Sequence, residues 1–492
     1  MRPISFPCLL ALLLLSSSLT GRGLALQDPG VEPVSFQRQV LPILRANCQG
    51  CHQPAKREGK LDLSSFAALE KGGRDGSPIV AGDPDASLLI DMVSPFDELP
   101  PEMPQDRPPL STDAIDILRR WVAQGAHDDT PPATGPQYDA DRPPVYERPP
   151  VLTALAYSPD GTLLAISGHH EVLLRSTGSG EIAARLVGLS PRIESLAFSP
   201  DGSLLAVAGG TPGLTGELQV WNVAQAELQL SLMVTYDTIY GASWSHDGTR
   251  IAFGCSDNTV RVVDATSGEQ LLYQGAHADW VLDTVFSIDS SHLITVGRDR
   301  SMKLIKVATQ QFIDNITSIT PGALAGGLMA VDRHPTRDEL LVAGSDGAPK
   351  IFKMYREVER VIGDDYNLLR AFEALPGRIF DACYSPDGSH ILAGSSLRGI
   401  GEVRVYSTED GSQTWRWAAP TGIFSVAYSP HGAVVAVGGF DGVLRLLDAT
   451  DGHVLSESIP VPLTGEPASR AIEAAAPSRT GNPTGTVDGE SR

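Results

Sequence analysis

A turn signature occurs seven times between residues 157 and 432 and limits the fold more than any other feature. Clear copies are Tyr157-Ser158-Pro159-Asp160-Gly161 and the matching segments at 198–202 and 384–388, and successive copies start 41 to 51 residues apart. Proline presets one backbone angle of this turn, and glycine adopts the positive φ that returns the chain into the next strand. Apolar runs such as residues 204–208 follow most copies, which is typical of buried β-strands.

A period of this length with four short strands per unit is the signature of WD-repeat β-propellers, in which each unit forms one blade of a ring. The seven copies therefore predict an all-β seven-bladed propeller over residues 151–463. An open β-solenoid or a pair of sandwiches fits seven in-phase copies poorly. We expect the last blade to be completed by a strand from residues 452–463, because residues 143–150 are too rich in proline to pair well.

Polar residues within the repeats suggest structural roles. Four aspartates lie in the turns before third strands, and we expect each to support its own blade through hydrogen bonds: Asp257, Asp299, Asp346 and Asp441. His169 and His170 are adjacent in a strand-like segment, where neighbours point to opposite faces, so a shared metal is not expected. The repeats contain no nucleophile elbow, phosphate loop or metal-binding helix motif.

The second strong constraint is the run Cys48-Gln49-Gly50-Cys51-His52, which is the attachment signal for a c-type haem. Cys48 and Cys51 stand on one turn, so each can form a thioether to one haem vinyl group, and His52 then lies beneath the iron as its axial ligand. A zinc site would need two more ligands at matching spacing, but the next cysteine is Cys255. We therefore expect one covalently attached haem c.

Helical patterns on both sides of this motif predict a small all-α haem domain over residues 34–129. Phe36, Val40 and Leu44 recur on one side of a helix that runs into the motif. A closing helix is expected to begin after Ser111, a good N-cap residue, and to end at Gly125. Packing of these two helices against each other would enclose the haem.

The second axial ligand is expected from the loop before the closing helix. Met103 is the predicted sulfur donor, within Leu99-Pro100-Pro101-Glu102-Met103-Pro104. Methionine–histidine ligation raises the reduction potential of haem iron. Met92 and His127 are the alternatives, although Met92 belongs to a helical apolar stripe and His127 lies past the end of the closing helix.

Residues 36–127 resemble the small cytochrome c domain of large exported planctomycete proteins. The resemblance is carried by residues 43–52, by residues 59–63, and by Met103-Pro104 through residues 121–126. It implies that Cys48 and Cys51 carry haem and that His52 and the methionine of the Met-Pro pair are the axial ligands. That family often has Met-Pro-Pro, whereas Gln105 follows Pro104 here. Residues 36–463 as a whole are similar to planctomycete proteins that pair this domain with WD repeats.

The remaining segments predict an exported protein. Residues 1–25 combine Arg2, a short leucine-rich run and Gly23-Leu24-Ala25, which indicates a secretory signal peptide and a periplasmic or other extracytoplasmic location. The apolar run is shorter than a membrane span, and we expect no transmembrane segment. Residues 130–150 contain many prolines and read as a linker, and residues 464–492 read as a disordered tail.

These features support three functional hypotheses. The formal net charge of −21 disfavours nucleic-acid binding. The first hypothesis is an exported electron carrier whose haem passes single electrons, with a redox protein partner docking at the haem edge or on the propeller. The second is an oxidoreductase whose propeller binds a substrate, and the third is a non-redox interaction scaffold, so enzymatic activity stays uncertain. Insertions at 315–324 and 355–366 are candidate binding loops.

Overall fold

The computed structural model describes residues 32–53, 56–97, 99–105, 107–130, 138–317, 325–359, 361 and 365–464. The predicted signal peptide and the segment after Thr464 lie outside these residues. Parts of the two candidate binding loops, namely residues 318–324, 360 and 362–364, also lie outside them.

The first described part of the chain is a small helical domain. A π-type turn, Phe36–Val40, runs directly into the first of four helices: α1 (Leu41–Asn47), α2 (Phe66–Lys71), α3 (Leu88–Val93) and α4 (Thr112–Ala123). Two short strands, β1 (His52–Gln53) and β2 (Lys56–Arg57), and a 3-10 turn at Glu58–Lys60 separate α1 from α2. The cysteine-histidine motif therefore lies at the end of α1 and the start of β1.

An aromatic core joins the first and last helical segments of this domain. The rings of Phe36 and Trp121 lie 5.4 Å apart, and Phe66 packs edge-on against both. The hydroxyl of Ser111 accepts the Ala114 N–H, so Ser111 caps α4 as predicted. Gly125 follows α4 with a φ of 99°, a conformation that favours glycine after a helix end.

The rest of the described chain forms seven four-stranded antiparallel sheets, each with its strands in chain order. The first three blades comprise β3 (Leu155–Tyr157), β4 (Leu163–Ser167), β5 (Glu171–Ser176), β6 (Ile182–Val187); β7 (Arg192–Phe198), β8 (Leu204–Thr211), β9 (Thr215–Asn222), β10 (Glu227–Thr235); and β11 (Ile239–Trp244), β12 (Arg250–Cys255), β13 (Val260–Asp264), β14 (Gln270–Gln274).

The last four blades comprise β15 (Val281–Phe286), β16 (His292–Gly297), β17 (Met302–Lys306), β18 (Gln311–Asn315); β19 (Leu328–Arg333), β20 (Glu339–Gly344), β21 (Lys350–Lys353), β22 (Leu368–Ala371); β23 (Arg378–Tyr384), β24 (His390–Ser396), β25 (Gly401–Ser407), β26 (Gln413–Ala419); and β27 (Ile423–Tyr428), β28 (Val434–Gly439), β29 (Leu444–Asp448), β30 (Val454–Ser458). The first strands of successive blades contact one another, and β27 contacts β3, which closes the ring. The predicted seven-bladed propeller is confirmed.

The repeated turn joins the first two strands of each blade through its own side chains. In the first copy, the Ser158 hydroxyl donates to Asp160 (2.6 Å) and accepts the Leu163 N–H (2.9 Å). Gly161 has a φ of 73°, which is the left-handed conformation expected from the sequence. The serine–aspartate bond recurs in the copies at Ser199, Ser245, Ser287 and Ser385.

Side chains also join the first strands of neighbouring blades. Asp283 of β15 accepts the Val331 N–H of the next blade at 2.8 Å, and Ser425 of β27 accepts the Leu155 N–H of the first blade at 3.0 Å. An aspartate or serine within an otherwise apolar strand is the sequence signal for these bonds, and sequence reasoning missed it. The bonds hold neighbouring blades in register around the ring.

The last blade takes all four strands from the C-terminal side, as predicted, because β30 pairs with β29. The linker nevertheless contacts the segment that follows the last blade, and this contact helps to close the ring. Tyr146 forms a parallel bridge with Leu463 and is 6% exposed, and its hydroxyl donates to the buried carboxylate of Glu171 at 2.7 Å. Tyr146 thus joins the segment that follows the last blade to the first blade.

The prediction that His169 and His170 point to opposite faces is wrong. The two residues lie in the turn between β4 and β5, where His170 has a φ of 61°. Their rings are 4.6 Å apart, and Tyr138 of the linker packs against both. The alternation of side chains holds only in extended backbone, and this turn interrupts it.

We expect Tyr146→Ala to lower the free energy of unfolding of the propeller by about 3–5 kcal/mol, as for other large buried aromatic side chains. The change removes the ring that packs on Leu173 and Val461 and leaves a hydrogen bond to Glu171 unmade. Val145→Ala is the matched control, because Val145 is 66% exposed. Urea unfolding followed by circular dichroism measures both variants, and equal stability of the two would contradict the proposed closing contact.

Candidate haem-binding site

The cysteine-histidine motif forms a compact turn at the end of α1. The carbonyl oxygen of Cys48 accepts the N–H groups of Cys51 (3.1 Å) and His52 (3.0 Å). The Gln49 side-chain amide donates to the Leu63 carbonyl at 2.8 Å, and the Leu63 N–H donates to the His52 carbonyl at 2.9 Å. The backbone of the predicted attachment site is therefore held in place by hydrogen bonds from within the motif and from the following loop.

The orientation of the His52 ring is set by one hydrogen bond. Its Nδ1 lies 3.0 Å from the carbonyl oxygen of Glu58, and a carbonyl can only accept, so Nδ1 carries the proton. In the neutral ring, Nε2 then keeps its lone pair. A backbone carbonyl bound to one ring nitrogen is the usual partner of a histidine whose other nitrogen binds a metal.

Apolar side chains surround the motif. Cys48 and Met103 both pack against the core cluster that contains Phe36, Leu44 and Leu63. Burial raises the pKa of the Cys48 thiol to about 12, so this thiol is neutral at physiological pH. The surroundings of Cys48 thus resemble the apolar wall that a flat macrocycle requires.

The three candidates for the sixth ligand differ in their surroundings. Met103 is partly buried against the core cluster, and its N–H donates to the Met92 carbonyl at 2.9 Å, which ties the ligand loop to α3. Met92 is partly buried on α3 but is not part of that cluster. His127 is exposed beyond α4, and its carbonyl accepts the Trp121 indole N–H at 3.0 Å. Met103 as the sixth ligand therefore stays a prediction, with Met92 and His127 as its alternatives.

One buried polar side chain beside the motif is unusual. Gln53 is fully buried, and neither its amide oxygen nor its amide nitrogen has a hydrogen-bond partner among the residues that the structure describes. Buried amides are normally paired, so an unpaired amide suggests a pocket that another group completes. Together with the neutral thiol and the oriented His52 ring, this side chain makes the site fit a haem.

The turn side of the motif lies against the second blade of the propeller. Both α1 and β2 contact β10, the outer strand of that blade. A Cβ at Gly50 would lie only 2.7 Å from the carbonyl oxygen of Ser231 in β10. Gly50 therefore permits an approach that any larger residue would block. No sequence signal other than the glycine itself indicated this contact.

Ser231 is itself tied to the interior of its blade. Its hydroxyl donates at 2.6 Å to Glu217, which is 1% exposed. The Gln219 amide donates to the same carboxylate at 2.8 Å, and burial raises the pKa of Glu217. The strand that meets the haem motif is thus anchored by a buried polar network.

The centre of the propeller contains a cavity of about 1220 Å³. Three partly buried aspartates line it, but each accepts a backbone N–H from the next blade: Asp283 from Val331, Asp332 from Tyr384, and Asp381 from Val426. Burial raises the pKa of Asp283 to about 8 and that of Asp332 to about 6. These hydrogen bonds indicate that the three aspartates have a structural role.

The aspartates before the third strands also support their own blades. Asp299 accepts a hydrogen bond from the buried His277 at 3.0 Å, and Nε2 of His277 lies 2.7 Å from the Thr295 hydroxyl. The other three pair with a basic residue four positions later: Asp257 with Arg261, Asp346 with Lys350, and Asp441 with Arg445.

Comparison with known protein families matches both parts of the chain. The family described as planctomycete cytochrome C matches residues 48–106, which begin at the first motif cysteine. The WD domain, G-beta repeat, matches residues 229–264, 268–306 and 411–448. The chain joins a planctomycete-type cytochrome c domain to a WD-repeat propeller. A cytochrome c domain of this type suggests haem binding, and a WD-repeat propeller suggests protein–protein interaction.

Curated relatives match part of the chain. The serine-threonine kinase receptor-associated proteins of Gallus gallus and Bos taurus are 23% and 26% identical over 246 and 241 residues, covering 44% of this chain and 67% of each relative. The WD repeat-containing protein 91 homolog of Dictyostelium discoideum is 31% identical over 84 residues, which is 17% of this chain and 11% of that protein. Among the described residues, no helix is long and apolar enough to cross a membrane.

We expect the stability of the propeller to fall as pH rises from about 4 to 8, with Asp283 as one cause. Its pKa in the folded chain is about 8 against an ordinary value of 3.8, so the folded state binds more protons throughout this window. Asp283→Asn keeps an oxygen acceptor for Val331 and removes the ionisation, so the fall should become shallower. Urea midpoints measured at pH 5, 7 and 8.5 check this expectation.

Asp410→Asn is the matched control for this experiment. Hydrogen bonds from Ser412 hold the pKa of the exposed Asp410 at about 2, so this group is charged in both states from pH 5 to 8.5. The control should keep the pH dependence of the unmodified chain. An unchanged dependence in Asp283→Asn would show that this carboxyl does not titrate as its burial predicts.

Proposed function

We propose that this protein is an exported c-type cytochrome that carries single electrons on one haem, attached covalently through Cys48 and Cys51. The observation that carries the proposal is the hydrogen bond between His52 Nδ1 and the Glu58 carbonyl, within an attachment motif and beside an apolar wall. This bond leaves Nε2 to face an iron. When bound, haem supplies reversible one-electron chemistry between its ferric and ferrous states.

The residues around the motif have distinct roles in this proposal. Cys48 and Cys51 would hold the macrocycle covalently, and His52 through its ring nitrogen and Met103 through its sulfur atom would bind the iron. The Met103–Met92 backbone bond positions the ligand loop. The core aromatics Phe36 and Trp121 exclude water from the domain interior, and burial of this kind raises the reduction potential.

The propeller serves as a protein-docking scaffold in this proposal. Its ring is rigid because side-chain hydrogen bonds join successive first strands, for example Asp283 to Val331. The aspartate carboxylates of its cavity are engaged in those bonds, which leaves its outer surfaces for partners. The sequence of residues 1–25 supports export to the periplasm, where c-type haem is attached in bacteria.

Absorption spectroscopy of the full chain, purified from a host with c-type haem maturation, tests the proposal. A c-type α-band on reduction is expected, and the haem should remain with the polypeptide after denaturation. Both properties should be lost in the Cys48→Ala/Cys51→Ala variant. An unmodified chain that emerges without haem would refute the proposed function. Direct reduction of the haem by a small substrate would favour an oxidoreductase instead.

The sixth ligand has its own test. Met103→Ala should abolish the weak near-infrared charge-transfer band of the oxidised protein and lower the reduction potential by on the order of 100 mV, within the ~0.8 V range that axial ligands set. Met92→Ala is the matched control and should keep the band. Loss of the band in Met92→Ala, or its survival in Met103→Ala, would assign the ligand elsewhere.

A further inference from the structure

The attachment-turn side of the cytochrome domain is covered by the propeller itself. Gly50 lies against the Ser231 carbonyl, and α1 and β2 contact the same strand. The Ser231 hydroxyl is hydrogen-bonded to the buried Glu217, so this strand is fixed to the interior of its blade. An external protein therefore has to approach the domain from another side.

The loop that leads to Met103 exposes two large apolar residues. Phe96 is 77% exposed and Leu99 is 65% exposed. They are held as a pair, because the Leu99 N–H donates to the Phe96 carbonyl at 2.8 Å and the Phe96 N–H donates back at 3.3 Å. The chain leads from this pair to Met103, whose N–H is bonded to Met92. Neighbouring, exposed apolar side chains of this size indicate an interaction surface.

The stretch of chain between Arg74 and Arg107, which contains this pair, carries charge of one sign. From residue 75 to residue 106 the sequence contains eight aspartates and glutamates and no lysine, arginine or histidine. Three of these acidic residues lie close to the pair in the sequence and are exposed: Asp91, Asp97 and Glu102. The surface therefore has an apolar centre with an acidic surround. Such a surface complements a partner that has basic residues around an apolar contact.

We propose that Phe96 and Leu99 are the centre of a docking surface for a small basic electron-transfer protein. The inference rests on the proposed function and specifies its redox partner by charge. In the complex one electron passes between the haem iron and the redox centre of the partner, so one centre is oxidised as the other is reduced. No bond is formed or broken. A small apolar contact with a charged rim suits a complex that must form and dissociate quickly.

Stopped-flow electron transfer between the full haem-loaded chain and a basic mitochondrial cytochrome c, used as the probe, tests the docking surface. The second-order rate should fall about tenfold when the salt concentration rises from ~20 to ~200 mM, because opposite charges steer the encounter. Phe96→Ser/Leu99→Ser should lower the rate at low salt about tenfold by removing the apolar centre.

Neutralisation of the acidic surround is a second, independent variant. Asp91→Asn/Asp97→Asn/Glu102→Gln should lower the low-salt rate about tenfold and flatten its salt dependence. The matched control removes three exposed carboxylates from the propeller, Glu181→Gln/Glu269→Gln/Glu409→Gln, and should leave the rate within about twofold. In every variant the α-band and the near-infrared charge-transfer band should be unchanged, which separates docking from damage to the haem site.

Two results would overturn the docking surface while leaving the proposed function intact. One is an equal rate for the unmodified chain and both surface variants. The other is faster exchange with an acidic probe protein than with the basic one. Absence of haem from the unmodified chain would instead refute the proposed function, and this inference with it.

Discussion

Every other feature of the large domain depends on the hydrogen bonds that join the first strands of neighbouring blades. A ring of seven sheets closes only if the strand that starts the seventh blade meets the strand that starts the first. Here the Ser425 hydroxyl accepts the Leu155 N–H across that junction, and Asp283 makes the same kind of contact between the fourth and fifth blades. Removal from solvent raises the pKa of Asp283 to about 8, which ties the strength of the ring to pH.

The closed ring then positions the cytochrome domain. The outer strand of the second blade carries Ser231, and Gly50 in the haem motif fits against its carbonyl because glycine has no Cβ. This contact covers one side of the attachment turn, and Phe96 and Leu99 remain exposed on the loop that leads to Met103. The structure thus gives the small domain one side bound by its own chain and another side open to a partner.

Much of this organisation could be predicted from the sequence because it depends on local chemistry. Gly161 and its equivalents mark turns whose backbone only glycine adopts easily, and their spacing was enough to count the blades. Cys48, Cys51 and His52 lie within five residues, so a single turn brings them together. The choice of Met103 is likewise a prediction from the sequence, and the structure shows that this residue packs against the core of the small domain.

Other features could not be predicted, because they join residues that are distant in sequence or depend on one backbone angle. The contact of His169 with His170 follows from the positive φ of His170, which overrides the alternation expected of a strand. The contact of Gly50 with Ser231 joins residues of two domains that lie far apart in the sequence, and no periodic pattern predicts it. The sequence alone determined the blade number and the haem-attachment motif, since short-range turns and spacings specify both. Only the tertiary structure decided which side of the cytochrome domain stays exposed, because that depends on how two separately folded cores pack together.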